Sequence, residues 1–211
     1  MDDRVLALCE LSNDLLYHKI PLEKLPYYVD NSLAAGRTAA EEFKGREIKQ
    51  LYRENKIEIE YFDKSSERFG VSFRGQSTMS KKGCKVELYR SSVKELARHS
   101  CFNNEKVLDY ETALQVHLAH EFFHFLEYQR DKFVSDQLDT IQTMKLLFFT
   151  RTVHINRCSE IAAHAFAEVM IGLPVLPNFY DYLYLMDTAK MTQKSFDAMI
   201  ENNGKILSQY D

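Results

Sequence analysis

His120-Glu121-Phe122-Phe123-His124 narrows what this chain can fold into more than any other stretch of it. On an α-helix, residues four apart are separated by about 40° around the axis and about 6 Å along it, so both imidazoles can face one metal ion. Glu121 is then displaced sideways, towards a water held at that ion. No other regular element suits this spacing. The surrounding residues supply the helix: Leu114, Leu118, Phe122, Phe125 and Leu126 form an apolar face, and His117, His120, Glu121 and His124 fall on an adjoining stripe. His117 reads as a surface histidine, the other reading being a group that supports a ligand.

The rest of the chain reads as α+β, in the order helix, small sheet, helices. The first 35 residues carry an apolar stripe (Val5, Leu6, Leu8, Leu11, Leu15, Leu16) punctuated by Pro21 and Pro26, and read as short helices that form an N-terminal extension. Thr38-Ala39-Ala40-Glu41 has the spacing of a capping box, which starts a helix running to about Asn55. Three alternating stretches follow: 56–61, the positions around Phe69, Val71 and Phe73, and Cys84 to Tyr89. They predict a three-stranded antiparallel or mixed sheet, most simply a meander. Ser92 and Glu95 form a second box that opens a short helix, and Asn103-Asn104 marks a polar loop. From Tyr110 onward the pattern reads almost wholly helical, with caps at Asp109 and Ser135, a helix around Ser135 to Thr150, and stops at Gly172 and at Asn203-Gly204. The 211 residues, 45% apolar and 27% charged, carry no repeat or linker and fit a single domain over 1–211, with its core at 38–176 and C-terminal helices over 177–211.

A catalytic zinc site takes three protein ligands and leaves one position for water, so His120 and His124 need a third partner. The extended pattern HExxHxxGxxH fails, because position 127 is Glu and position 130 is Arg. The remaining common solution is a carboxylate from a later helix. Glu160 heads a run with four alanines, Ser159 to Glu168, which lets one backbone approach another closely. Glu127, Asp131, Asp136, Asp139, His154, His164 and Glu168 stand as rivals.

Composition removes several other classes. The formal charge of -4 includes no basic stripe, so direct nucleic-acid binding is not expected. No run reaches the roughly 18 to 20 apolar residues of a spanning helix, and Met1-Asp2-Asp3-Arg4 lacks the pattern of a secretory leader, so a soluble cytoplasmic chain without membrane contact is expected. Cys9, Cys84, Cys101 and Cys158 form no CxxC pair and read as reduced thiols.

His-Glu-Phe-Phe-His, followed 36 residues after its second histidine by Glu160-x-x-Ala163-x-x-Phe166-Ala167 and then Pro174, resembles the ImmA/IrrE family of gluzincin-like metallopeptidases. The likeness covers about residues 38 to 176, and Ala162 and His164 replace a family Glu and Asn. It implies a zincin-like domain with one Zn2+ on His120, His124 and Glu160, and Glu121 as general base. The reaction expected is attack of hydroxide on a peptide bond after the zinc has lowered the pKa of its water towards 7. His164, with His154 as alternative, is the candidate for stabilising the oxyanion. The likeness also implies the partner: a protein or peptide substrate, such as a helix-turn-helix transcriptional repressor, in proteins often carried on mobile elements. The peptide would extend along a sheet edge, for which Cys84 to Tyr89 is the candidate strand. A different class of function is a metal-binding or interaction regulator, a partner in an antitoxin or repressor pair that acts without catalysis.

Overall fold

The computed structural model of the chain describes residues 1–63, 66–68, 71–80, 83–103, 105–146 and 149–210. Helix α1 (Asp3–Leu11) opens at Asp2, whose carboxylate accepts from the Arg4 N–H, and Leu6, Leu8 and Leu11 on it are fully buried. Pro26 sits in the first turn of α2 (Leu25–Glu41), where its missing N–H costs nothing. Tyr28, Val29, Leu33, Gly36 and Ala40 form the buried face of that helix. Thr38 to Glu41 are therefore a last turn rather than a first one. The amides that the expected capping box would satisfy already belong to the helix, so the box has nothing to cap. The chain breaks near Gly45, which has φ +77°, and resumes as α3 (Ile48–Glu54).

Strands β1 (Ile57–Phe62), β2 (Ser66–Arg68), β3 (Val71–Phe73), β4 (Gly75–Ser80) and β5 (Gly83–Tyr89) follow. The main sheet has the order β1-β5-β4 and is mixed: Ile57 lies opposite Cys84 in a parallel pair, and Gly75 opposite Leu88 in an antiparallel one. The meander is not formed. Val71 and Phe73 belong to a separate hairpin with β2, and Phe69 lies outside the described residues. Burial explains the arrangement. β5 carries the buried Val86 and Leu88 and takes the centre, whereas Gly-Gln-Ser-Thr-Met-Ser has little to bury and takes an edge.

Helix α4 (Arg90–His99) grows directly out of β5, so Ser92 lies inside it and not at its cap. The small hairpin β6 (Cys101–Phe102) and β7 (Glu105–Lys106) comes next, and Asn104 of the expected loop lies outside the described residues. Helix α5 (Tyr110–Arg130) starts as expected at Asp109, whose side chain accepts from the Thr112 N–H at 2.9 Å. The helix expected around Ser135 to Thr150 is replaced by α6 (Val134–Gln137), with Ser135 inside it, and an antiparallel hairpin of β8 (Ile141–Leu146) and β9 (Phe149–Val153). Residues 147 and 148 of that stretch lie outside the described residues. Its β-branched Ile141, Thr143, Thr150, Thr152 and Val153 favour a pleated backbone. Helix α7 (Arg157–Ile171) ends at Gly172 with φ +73°, as the sequence predicts. After α8 (Asn178–Asp187), helix α9 (Gln193–Tyr210) runs straight through Asn203-Gly204. The expected stop fails because Asn203 is buried and donates to the Cys9 sulfur at 3.2 Å, and Gly204 faces a Val5 methyl.

One apolar cluster runs from Val5 in α1 to Leu207 in α9. At its centre α7 packs against both α2 and α5. The approach of α2 to α7 is close enough that a Cβ on Gly36 would stand 2.0 Å from the Ala162 carbonyl oxygen. On the other side of α5, the Tyr52 hydroxyl of α3 donates to the Leu118 carbonyl at 2.8 Å. Among the described residues no helix is long and apolar enough to cross a membrane.

The Gly36 contact leaves no room for a methyl group unless the helices separate. Gly36→Ala is expected to destabilise the fold by about 3 kcal/mol, the upper part of the usual range for overpacking. A urea unfolding curve with an unchanged midpoint would contradict this close approach.

Candidate metal centre

Helix α5 presents His120, Glu121 and His124 to a cleft of about 550 Å³, and His117 one turn earlier joins them in its wall. The apolar side of the same helix, Leu114, Leu118, Phe122, Phe125 and Leu126, is buried as its spacing requires. Opposite stands the first turn of α7 with Glu160, where the exposed amides of a helix N-terminus favour a carboxylate. Asp14 holds that turn by accepting from the Arg157 N–H at 3.2 Å, and Glu10 accepts from the Arg157 guanidinium at 2.8 Å. The N-terminal segment thus moors the helix that carries Glu160.

The distances suit one small cation. The Nε2 atoms of His120 and His124 are 3.2 Å apart; His120 Nε2 lies 3.3 Å from Glu160 Oε2, and His124 Nε2 lies 3.7 Å from Glu160 Oε1. A tetrahedral ion with bonds of 2.0–2.1 Å has ligand-to-ligand edges of about 3.3–3.4 Å. With one donor atom from each residue, all three fall within 4.8 Å of one another, so the donor set fits a His/His/Glu metal ion. The side chains of His120, His124 and Glu160 are 17%, 20% and 37% exposed, which leaves an approach from the cleft, as a catalytic site requires and a structural one does not.

Charge reinforces the grouping. Burial alone would disfavour charge on both partners, yet the two imidazoles hold Glu160 well below the usual carboxylate range. For His124 burial is likewise outweighed, by Glu127 first and then Glu160, and its pKa is pushed up to about 10. His117 is pushed down to about 4 by burial and by the charge of Arg74, and its Nδ1 lies 2.7 Å from the Ala113 carbonyl. His117 is thus a wall of the cleft and not the surface histidine expected from sequence.

Three of the expected rivals of Glu160 are placed elsewhere. Asp139 pairs with Lys24, Glu168 pairs with Arg37, and Asp131 closes α5 in the left-handed region with φ +49°. His154 contacts the Ser135 carbonyl at 2.9 Å and lines a neighbouring depression, whereas His164 lines the cleft itself with its ring 4.9 Å from that of His120. Burial and the charge of His120 push His164 down to about 3, so it is neutral at physiological pH. Strand β4 runs along the cleft as the edge of its sheet, with Gly75, Gln76 and Ser77 in the wall. Cys84 to Tyr89, the expected edge, is the central strand and has partners on both sides.

Two features of the centre escape a reading of the sequence. Arg74 pairs with Asp181 across the cleft, 107 residues away, a contact that no local pattern announces. Glu127, weighed above only as a ligand, accepts from His124 Nδ1 at 3.0 Å; its spacing of three from His124 on a helix is the signal that could have found it. Comparison of the chain with protein-family models, with curated proteins and with solved structures finds no match.

Metal must displace the proton on His124 Nε2, on the side that faces Glu160, while the Nδ1 hydrogen stays directed at Glu127. Because that pKa is about 10, binding of Zn2+ is expected to release a proton at neutral pH and to tighten by about tenfold per pH unit as the pH rises towards it. Calorimetric titrations in buffers of different ionisation enthalpy measure this release, and equal heats in all of them would contradict it. Protein purified without added metal is expected to hold about one equivalent per chain, lost in both His124→Ala and Glu160→Ala, by elemental mass spectrometry.

Proposed function

We propose that the chain is a zinc-dependent endopeptidase of the HExxH…E type. The observation that carries this reading is the grouping of His120, His124 and Glu160, whose donor atoms, one from each, lie within 4.8 Å of one another in a cleft that Glu121 also lines. When bound, zinc supplies the Lewis acidity that makes a water nucleophilic near neutral pH and polarises a carbonyl. Glu121 takes the proton of the attacking water and delivers it to the leaving amine. Its carboxylate lies against the edge strand: a Cβ on Gly75 would stand 3.4 Å from Glu121 Oε1, in van der Waals contact.

The free edge of β4 binds the peptide as an additional strand, through backbone hydrogen bonds that do not depend on side chains. His164, neutral and facing the same cleft, offers an N–H to the oxygen on which negative charge develops. The resemblance to ImmA/IrrE-type metallopeptidases supports the choice of substrate, a partner regulatory protein such as a helix-turn-helix repressor; the absence of a CxxC pair among the four cysteines supports a cytoplasmic setting for the reaction.

Glu121→Gln is expected to keep its zinc and lose at least about 10²-fold in cleavage of a quenched-fluorescent peptide library or of a repressor substrate. Full cleavage by this variant would remove Glu121 from its role. Regulation of a repressor that survives the change intact would move the function from catalysis to binding.

A further inference from the structure

We infer that Glu127 is a positioning residue for the metal centre: it fixes His124 with its Nε2 free for the ion and locks the two ligand-bearing helices in register. The inference rests on the reading of His120, His124 and Glu160 as metal ligands. Glu127 is 4% exposed, and a carboxylate so placed needs all of its contacts. It has three, on both oxygens. Oε2 meets His124 Nδ1 at 3.0 Å, while Oε1 accepts from the Val134 N–H at 2.8 Å and from the Ser159 hydroxyl at 2.8 Å.

Each contact has a consequence at the centre. An acceptor-only group facing Nδ1 keeps the hydrogen of His124 on that nitrogen, which leaves Nε2, the atom 3.2 Å from His120 Nε2, with its lone pair for the metal. Ser159 immediately precedes Glu160, so the hydroxyl bond fixes the turn of α7 from which the third ligand projects. Ser159 accepts in turn from the Ser135 N–H at 3.2 Å, which ties in the segment between the two helices. One buried carboxylate on α5 therefore orients a ligand on its own helix and the backbone next to a ligand on the other. It also places a second negative charge beside the centre, so that Glu127 and Glu160 together balance a dication.

The test is the affinity of the full-length chain for Zn2+, measured by competition with a chromophoric chelator, in the wild type, Glu127→Gln, His124→Ala and the double variant. Glutamine has one acceptor oxygen and cannot serve His124 on one side and Val134 and Ser159 on the other. It is expected to weaken binding by about 10- to 100-fold. In the His124→Ala background the same change is expected to add little, because its effect passes through that imidazole. In 15N-histidine spectra of the zinc-loaded protein, the His124 Nδ1–H is expected to resonate downfield and exchange slowly with solvent in the wild type, and to lose both properties in Glu127→Gln. If Glu127→Gln does not fold, Ser159→Ala carries the test, with an expected loss of about 3- to 10-fold, the net weight of one ordinary hydrogen bond. Unchanged affinity in the folded variant, or an equal loss with and without His124, overturns the positioning role alone. A wild type that takes up no zinc overturns the ligand assignment and the inference together.

Discussion

Two imidazoles and a carboxylate can meet at about 3 Å only if the helices bearing them are held rigidly, and in this protein the hold comes from backbone contact. Helix α7 has Ala162, Ala163, Ala165 and Ala167 buried along it, and Gly36 of α2 meets it with no side chain at all. Small residues on both surfaces let α7 sink between α2 and α5 until Glu160 stands over His120 and His124. Larger side chains at the same places would move the carboxylate away by the thickness of a methyl group, more than the tolerance of a metal bond.

The polar groups follow from that placement. A carboxylate taken partly out of water has to be compensated, and Glu160 is compensated two ways, by the imidazoles it faces and by the N-terminal helix turn it sits in, a turn that the bonds of Arg157 to Glu10 and Asp14 hold in place. The N-terminal helix thereby becomes part of the centre's architecture. Its buried Leu6, Leu8 and Leu11 anchor it in the shared core, and its last residues face the first turn of α7.

How much of this the sequence discloses depends on the range of the interaction. The helix of His120 and His124, its cap at Asp109 and its apolar face were legible, because a period of 3.6 and an N-cap are set by neighbours within one turn. The grouping of Glu160 with the two histidines accords with the chemistry of a three-ligand site, in which a carboxylate from a later helix joins a pair of imidazoles. Local signals misled where tertiary contacts overruled them: the Thr38 box lies in a helix already begun at Leu25, and Asn203-Gly204 is held helical by packing on Cys9 and Val5. The hairpin of β8 and β9 departs from the expected helix because its β-branched residues pair across two strands, a contact that a helical period does not report. The strand order was not legible, since which strand takes the middle of a sheet depends on what covers its faces.

The hairpin between the two halves of the centre has a temporal meaning as well as a spatial one. During synthesis His120 and His124 are made 36 residues ahead of Glu160, and α7 cannot seat itself until it has emerged far enough to close against α2, made more than a hundred residues earlier. Until that closure a growing chain holds two histidines on a helix and no complete donor set. The order in which residues leave the ribosome therefore delays the complete donor set until α1, α2 and the main sheet have already been made.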